Sequence, residues 1–176
     1  MTTDANSSAE RSGKPGFRVL FVCTGNTCRS PMAEGILKKL VSELRPEGLT
    51  IEVQSAGTMG LSGHPATELA IAVAGEYGVD LSRHRSQALT PQLLENSDLV
   101  FALAAEHFET CRHLGKEPER LFLLKAFPHA SRNLRQESID DPIGGDRSRY
   151  EKAYFEIDEA IRKALPAILQ RAGITS

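Results

Sequence analysis

Short apolar runs alternate with amphipathic segments along most of the chain. Residues 17–23 (FRVLFVC) form a nearly continuous β-branched and aromatic run, which is typical of a strand buried on both faces. Apolar residues at helical spacing follow, and they predict a helix with Ser30 as its N-cap and Pro31 as its first residue. The other predicted strands are 49–55, 98–103 and 121–127, and the other predicted helices are 65–77, a short one after Pro91, 105–114 and 150–171, where Pro166 could introduce a bend. Strands that alternate with helices predict an α/β fold: a single-domain open parallel sheet of about four strands with helices on both faces.

The two ends of the chain lack this alternation. Residues 1–16 are polar, so we expect a disordered N-terminal tail, a folded domain over 17–172 and a short C-terminal tail over 173–176. The N-terminal segment lacks the apolar core of a signal peptide, and no run approaches the roughly 20 apolar residues that cross a bilayer. These patterns predict a cytoplasmic protein that does not act at a membrane.

Composition and charge narrow the expected chemistry. The 176 residues include 40% hydrophobic and 25% charged residues, which is typical of one soluble globular domain. The chain contains 21 Lys and Arg and 23 Asp and Glu, so its net charge is −2. We therefore expect no general nucleic-acid surface, and any anion site must be local. The three cysteines, Cys23, Cys28 and Cys111, are too few for a secreted disulfide scaffold and lack metal-ligand spacing, so we expect no metal and no cofactor. Nothing in the sequence indicates an oligomeric state.

The segment that joins the first strand to the first helix carries the candidate chemistry. Parallel sheets bind ligands beyond the carboxyl ends of their strands, which is where this segment lies. Its backbone N–H groups and the following helix N-terminus can form an anion site, and we expect that field to lower the pKa of Cys23 and make it a nucleophile. Arg29 can bind two phosphoryl oxygens, and Ser30 can donate its hydroxyl to the Cys23 thiolate. The predicted phosphate-binding residues are Thr24, Gly25, Asn26, Thr27, Cys28, Arg29 and Ser30.

A cysteine and an arginine at this spacing would more often be a buried small residue and a surface cation. The local context favours the functional interpretation, because a buried strand precedes the pair and a Ser-Pro helix start follows it. Within the segment, Gly25 allows close backbone approach, and Asn is the non-glycine residue type that best tolerates positive φ at position 26.

Residues 22–31 (VCTGNTCRSP) resemble the active-site signature of the low molecular weight protein-tyrosine phosphatase family. Residues 55–58 (SAGT), residues 81–86 (LSRHRS) and the pair Asp141-Pro142 resemble further family segments in the same order, so the resemblance covers most of 17–172. It implies a cysteine-dependent, metal-independent protein phosphatase with the Rossmann-like fold of this family, acting on phosphorylated proteins through a phosphocysteine intermediate.

The resemblance also implies individual roles. Cys23, Arg29 and Asp141 are the expected catalytic residues, with Asp141 rather than Asp140 as the acid that protonates the leaving group and then activates water. In the family, a serine and a histidine hold the loop asparagine in place by hydrogen bonds, and they correspond to Ser55 and His84 here. Ser30 is expected beside the nucleophile.

The expected substrate is a phosphorylated side chain, and two remain open. Tyrosine-specific members place aromatic residues at positions that correspond to Leu61 and Ile143, and both are aliphatic here. A threonine at position 27 is similar to the bacterial protein-arginine phosphatase branch at this position, although it could also be a tolerated substitution without a role in specificity. We therefore predict a narrow preference for phosphoarginine, with a protein-tyrosine phosphatase proper as the alternative.

Two other functions are weaker alternatives. Arsenate reductases of this architecture use two further cysteines, whereas only Cys111 lies in the corresponding region. A phosphopeptide-binding module without catalysis would not need Asp141. Cys28 could trap an oxidised Cys23 as a reversible disulfide or could be a small packing residue, and Cys111 is expected to be structural.

Overall fold

A computed structural model describes residues 16–48 and 50–174 of this protein. Its strands are β1 (Phe17–Cys23), β2 (Ile51–Gly57), β3 (Leu99–Ala102) and β4 (Leu121–Leu123). Its helices are α1 (Arg29–Leu44), α2 (Glu68–Glu76), α3 (Pro91–Glu95), α4 (Ala105–His113) and α5 (Arg147–Arg171), with a 3₁₀ turn at Pro118–Arg120. The predicted alternation of strands and helices is confirmed.

The four strands form one parallel sheet in the order β2-β1-β3-β4. The central position of β1 explains its unbroken apolar sequence, because both of its edges are hydrogen-bonded and both of its faces are covered. The pairing of β1 with β2 runs as far as Cys23 opposite Gly57. The carboxyl end of β1 therefore lies beside that of β2, and the segment after Cys23 emerges there.

Alternate residues of β1 face two separate apolar layers, because successive side chains of a strand point to opposite faces. On one face, Val19 and Phe21 belong to a large cluster with residues of α1, α2 and α5. On the other face, Leu20 and Val22 belong to a smaller cluster that includes Leu94 of α3 and Cys111 of α4. Helices therefore cover both faces of the sheet, as predicted.

Three strands differ from their predicted bounds, and β3, predicted at 98–103, is Leu99–Ala102, one residue shorter at each end. We predicted a strand at 49–55, but β2 extends to Gly57 because its pairing with β1 continues that far; Leu49 lies outside the described residues. We also predicted a strand at 121–127, but β4 ends at Leu123. The backbone N–H groups of Ala126 and Phe127 donate to the Leu123 carbonyl, so the chain turns there despite its apolar sequence.

Three helices begin at positions that differ from the predicted ones, and capping explains two of them. Thr67 caps α2 by accepting from the Ala70 N–H, and Asp146 caps α5 by accepting from the Arg149 N–H. Our assignment of Ser30 as the N-cap of α1 was wrong: that helix begins at Arg29 after Cys28, without a side-chain cap. Pro166 lies within α5, which continues to Arg171.

The predicted disordered tail at 1–16 lies outside the described residues except for Gly16. Of the predicted tail at 173–176, the described part continues the end of α5, because the N–H groups of Gly173 and Ile174 donate to the carbonyls of Gln170 and Leu169. No helix in the described part of the chain is both long and apolar enough to cross a membrane.

Candidate active site

The segment between β1 and α1 is a tight loop whose carbonyl groups are bound from outside. Four donors from other parts of the chain account for this: Thr58 N to Cys23 O at 2.9 Å, Met59 N to Thr24 O at 2.9 Å, His84 Nε2 to Asn26 O at 2.7 Å and Thr67 N to Thr27 O at 2.9 Å. Outward carbonyls turn the intervening N–H groups toward the interior of the loop. We call residues Thr24–Ser30 the phosphate loop, since this arrangement is the one that binds anions.

Gly57 allows β2 to approach the phosphate loop closely. A Cβ atom at this position would lie 2.6 Å from the Thr24 carbonyl oxygen and 2.9 Å from the Asn26 nitrogen. Both atoms are backbone and neither can move away without changing the loop. The absence of a side chain at Gly57 is therefore a steric requirement of the site.

Asn26 supports the loop from inside. It is completely buried and has a φ of 55°, a left-handed conformation that Asn tolerates better than most residues. Its Nδ2 donates to Ser30 Oγ at 2.8 Å and to Ser55 Oγ at 2.9 Å, while its Oδ1 accepts from Gln87 N at 2.9 Å. The Gln87 N–H fixes the orientation of the amide, so the two amide hydrogens point toward the two serines.

These bonds determine the direction of the hydrogen bond to Cys23. Ser30 Oγ lies 2.8 Å from Cys23 Sγ, and it already accepts from Asn26. Its own hydroxyl hydrogen is therefore free to be donated to a Cys23 thiolate, which can only accept. The hydroxyl of Ser55 donates in turn to Glu34, a carboxylate that also pairs with Lys38 at 2.5 Å.

The environment of Cys23 acts on its pKa in two directions. Burial raises the pKa of the Cys23 thiol, whereas the Ser30 hydroxyl, the N–H groups of Ser30 and Asn26 and the Arg29 charge lower it. The net direction is upward, so the expected lowering of this pKa is not met in this structure. Desolvation is the reason, because Cys23 is buried at the end of a central strand.

Arg29 is buried and held by groups from two loops. Its Nη1 donates to the Ile139 carbonyl at 2.8 Å, and its Nη2 lies 3.4 Å from Thr24 Oγ1 and 3.3 Å from Asp141 Oδ2. Its Nε is buried and has no partner among the described residues. The guanidinium therefore has a fixed orientation and retains its Nε as a donor for a bound anion.

Asp141 reaches the phosphate loop from a distant part of the chain. Its Oδ1 accepts from Ile143 N at 3.1 Å, while its side chain keeps 37% of its surface exposed. Asp140 has 89% of its side chain exposed and contacts Lys152 at 3.9 Å. The structure thus brings Asp141 to Arg29, whereas Asp140 faces solvent.

A family model described as low molecular weight phosphotyrosine protein phosphatase matches residues 18–173. The chain belongs to this family. It is therefore an enzyme, a low molecular weight protein phosphatase.

Three relatives illustrate the match. A protein-arginine-phosphatase of Bacillus subtilis is 35% identical over 146 residues, which cover 82% of this chain and 92% of the relative. A low molecular weight protein tyrosine phosphatase from T. tengcongensis has a similar crystal structure, with a TM-score of 0.76, 37% identity and coverage of 86% of this chain and 99% of the other. A mutant of the YwlE arginine phosphatase with a phosphorylated active-site serine has a TM-score of 0.74, 30% identity and coverage of 88% and 96%.

Two of the predicted specificity residues of the phosphatase, Thr27 and Leu61, lie close to Gly25 of the phosphate loop. A Cβ built on Gly25 would be 3.4 Å from Thr27 Oγ1 and 4.0 Å from Leu61 Cδ1, which places both side chains over Gly25. Ile143 lies two residues after Asp141 and has 57% of its surface exposed. The residues that we expected to contact the substrate are therefore aliphatic or hydroxylic, and Thr27 and Leu61 lie near Gly25 of the loop.

Cys23 at the end of β1 and Cys28 in the phosphate loop have different surroundings. Cys28 is buried, with its Sγ 3.5 Å from both Thr67 Oγ1 and Tyr150 Oη. Burial raises the pKa of Tyr150 to about 12, so its hydroxyl stays protonated. Cys23, Cys28 and Cys111 are all free thiols. Cys111 lies on the opposite face of the sheet, where burial raises its pKa to about 12.

Sequence reasoning missed three residues of the phosphatase site: Glu34, Gln87 and His107. Glu34 and Gln87 contact Ser55 and Asn26 from the side of the loop away from Cys23. His107 lies in the first turn of α4, and its Nε2 is 2.8 Å from Thr24 Oγ1. Its place just after the carboxyl end of β3, the neighbour of β1, was the signal that could have identified it.

Proposed function

We propose that the phosphatase hydrolyses phosphorylated protein side chains through a phosphocysteine formed on Cys23. The observation that carries this proposal is the directed set of hydrogen bonds from Asn26 through Ser30 to Cys23 Sγ. A phosphoryl group bound in the loop would meet the Cys23 sulfur at its centre and a free donor, Arg29 Nε, at its side. The relative with a phosphorylated active-site serine supports phosphoryl transfer to a residue at the nucleophile position.

In the first step, Cys23 loses its thiol proton to solvent, the resulting thiolate being stabilised by Ser30, the loop N–H groups and Arg29. The thiolate attacks phosphorus and the bond to the leaving oxygen or nitrogen breaks. Protonated Asp141 gives its proton to the departing atom, so tyrosine leaves as a neutral phenol or arginine as its ordinary guanidinium cation, and Asp141 becomes a carboxylate. Arg29 and the loop N–H groups bind the phosphoryl oxygens throughout. The products are the protonated leaving side chain and phosphocysteine.

In the second step, the Asp141 carboxylate removes a proton from water as the water oxygen attacks phosphorus. The sulfur–phosphorus bond breaks, inorganic phosphate forms, and the electron pair returns to sulfur as a thiolate. Ser30 stabilises that thiolate through its hydroxyl, which is 2.8 Å away. Asp141 ends protonated, as it began.

The test of this mechanism is the variant Cys23→Ser, assayed with phosphopeptides with and without a metal chelator. We expect turnover to be lost in the variant, because serine is a far weaker nucleophile at neutral pH, and we expect the chelator to leave wild-type turnover unchanged. Cys111→Ser serves as the control, since Cys111 lies on the other face of the sheet. Retained turnover in Cys23→Ser, or a chelator-sensitive wild type, would contradict the proposal.

We further infer that phosphoarginine is preferred over phosphotyrosine. Thr27 and Leu61 lie over Gly25, and Ile143 is exposed beside Asp141, so no aromatic ring occupies these three positions to stack on a phosphotyrosine. The Bacillus subtilis relative is a protein-arginine phosphatase, whereas the T. tengcongensis relative is a protein tyrosine phosphatase. Phosphotyrosine therefore remains the alternative substrate.

Two substitutions test the substrate. Thr27→Ile removes the hydroxyl, and we expect the ratio of kcat/KM for phosphoarginine over phosphotyrosine peptides to fall. Ile143→Tyr adds an aromatic wall, and we expect it to lower the same ratio by improving turnover of phosphotyrosine. If neither substitution changes the ratio, these positions do not determine specificity.

Redox control and location remain predictions. We propose that Cys28 protects an oxidised Cys23 by forming a reversible disulfide. After mild peroxide treatment, wild-type activity should return with a dithiol reductant, whereas Cys28→Ser should recover less. Equal recovery would mean that Cys28 is only a packing residue beside Thr67 and Tyr150.

A cytoplasmic location and a disordered tail at 1–16 stay expectations from the sequence.

A further inference from the structure

His107 is a buried histidine next to the proposed active site that the mechanism above does not use. It is completely buried in the first turn of α4. Its Nε2 lies 2.8 Å from Thr24 Oγ1, and its Nδ1 is buried without a partner among the described residues. An unpaired buried nitrogen is unfavourable, so an apolar side chain would suit this position better if packing were its only role.

The imidazole of His107 is uncharged. Burial and the nearby positive charge of Arg29 lower the pKa of His107 to about 3, although the Asp141 charge acts in the opposite direction. The Glu106 carboxylate is also 3.7 Å from Nε2. A neutral ring can exchange one hydrogen bond with Thr24 in either tautomer, and in both cases it fixes the rotamer of the Thr24 hydroxyl.

The Thr24 hydroxyl connects His107 to the phosphate-binding arginine. Arg29 Nη2 lies 3.4 Å from Thr24 Oγ1, at the long end of hydrogen bonding, while Nη1 is anchored to Ile139 O at 2.8 Å. Without an anchored hydroxyl, Nη2 would keep only its 3.3 Å contact with Asp141, a side chain that is 37% exposed, and the guanidinium could rotate about its Nη1 contact. The orientation of its Nε, the donor left for a phosphoryl oxygen, would then no longer be fixed.

We propose that His107 is a positioning residue that, through Thr24, orients Arg29 for phosphate binding. This inference rests on the proposed role of Arg29 in the site. His107 itself touches neither the substrate nor the reacting atoms. Because Arg29 binds phosphate before and during the reaction, loss of the contact should weaken the binding of inorganic phosphate as well as lower kcat/KM.

The experiment measures the Kd of inorganic phosphate by titration calorimetry and kcat/KM with phosphopeptides. The variants are His107→Phe, His107→Gln, Thr24→Val and the double variant His107→Phe/Thr24→Val. We expect His107→Phe and Thr24→Val each to raise the phosphate Kd about tenfold, because each removes a hydrogen bond that positions a charged group. Gln can place its amide nitrogen near the former Nε2, so His107→Gln should restore most of the affinity.

The double variant tests whether His107 acts through Thr24. If it does, His107→Phe should have no further effect once Thr24 is Val, so the double variant should match Thr24→Val alone. The matched control is His113→Phe on the same helix, because that ring is exposed and its Nδ1 bonds to Glu109 O within the helix. It should leave both measurements unchanged.

Three results would overturn the proposal: an unchanged phosphate Kd in His107→Phe, independent effects that multiply in the double variant, or no recovery in His107→Gln. If His107→Phe fails to fold, Thr24→Val still decides, because an unchanged Kd in that variant removes the link to Arg29. Phosphate binding is measured without turnover. If the wild type binds phosphate and Cys23→Ser keeps its activity, the proposed mechanism is therefore contradicted, whereas this inference still stands.

Discussion

Asn26 combines a backbone conformation with a set of hydrogen bonds, and the two can be separated by substitution. Its φ of 55° is unfavourable for most side chains, while its amide binds Ser30, Ser55 and the Gln87 N–H. Asn26→Gly removes the amide, but glycine adopts this conformation without strain. Asn26→Ala removes the amide and also places a side chain that is unfavourable in this conformation. We expect kcat/KM to fall by about tenfold or more in both variants, because the Ser30 hydroxyl loses its orientation toward Cys23.

Unfolding in urea should distinguish the two variants of Asn26. A residue with a Cβ in the left-handed region costs roughly 1–2 kcal/mol, so Asn26→Ala should be less stable than Asn26→Gly by about 1 kcal/mol. Equal stabilities would mean that the loop changes its conformation once the amide is lost.

Asp141 and Asp140 are adjacent carboxylates with different positions, which makes them a matched pair. Asp141→Asn should lower kcat for a phosphopeptide by roughly 100-fold or more, because the leaving group then departs without a proton. The loss should be smaller for an aryl phosphate whose phenol leaves readily as an anion. Asp140→Asn should have little effect, since that side chain faces solvent. A similar loss in both variants would assign the effect to local charge rather than to an acid.

At the scale of elements, the phosphate loop depends on a strand that contributes no reacting group. Gly57→Ala would place a Cβ 2.6 Å from the Thr24 carbonyl oxygen, so we expect it to displace the loop, reduce activity strongly and lower stability by about 1–3 kcal/mol. Gly75→Ala in α2 is the control, because nothing lies within 4 Å of its Cβ position. It should stabilise the helix by about 0.5–1 kcal/mol. Unchanged turnover in Gly57→Ala would show that β2 can move away from the phosphate loop without displacing it.

The elements that could be predicted from the sequence are those in which local patterns agree with tertiary pairing. β1 was predicted with its observed bounds because a central strand must be apolar on both faces. The extent of β2 and β4 could not be predicted, because pairing with β1 extends one strand to Gly57 and a turn ends the other at Leu123. Neither cause is visible in a local apolar run.

Across the whole molecule, the site combines a local motif with side chains from distant segments. Cys23, Arg29 and Ser30 could be predicted because one loop contains them all. The contact of Arg29 with Ile139 and that of Thr24 with His107 could not, because each joins segments about 80 or more residues apart. Such contacts depend on where the segment that contains Ile139 and Asp141, and helix α4, lie against the carboxyl ends of the strands. The resemblance to a family supplied Asp141, whereas the signal for His107 was not a motif but its place just after the carboxyl end of β3.

The buried imidazole of His107 also predicts how the whole fold responds to acid. Its pKa is lowered from about 6.5 to about 3, so between these values the unfolded chain binds a proton that the folded chain excludes. Stability should therefore fall as the pH decreases from 6.5 toward 3, by up to about 1.4 kcal/mol for each pH unit, or about 2–3 kcal/mol by pH 4.5.

Urea unfolding of the wild type and of His107→Gln at pH 7 and pH 4.5 measures this difference. Gln does not titrate, so the variant should lose less stability on acidification, whereas the exposed control His113→Gln should follow the wild type. Carboxylates that titrate in the same range contribute equally to all three proteins and cancel in the comparison. Equal acid sensitivity of His107→Gln and the wild type would mean that the folded protein admits a proton at His107, and with it the water or movement needed to solvate a second cation beside Arg29.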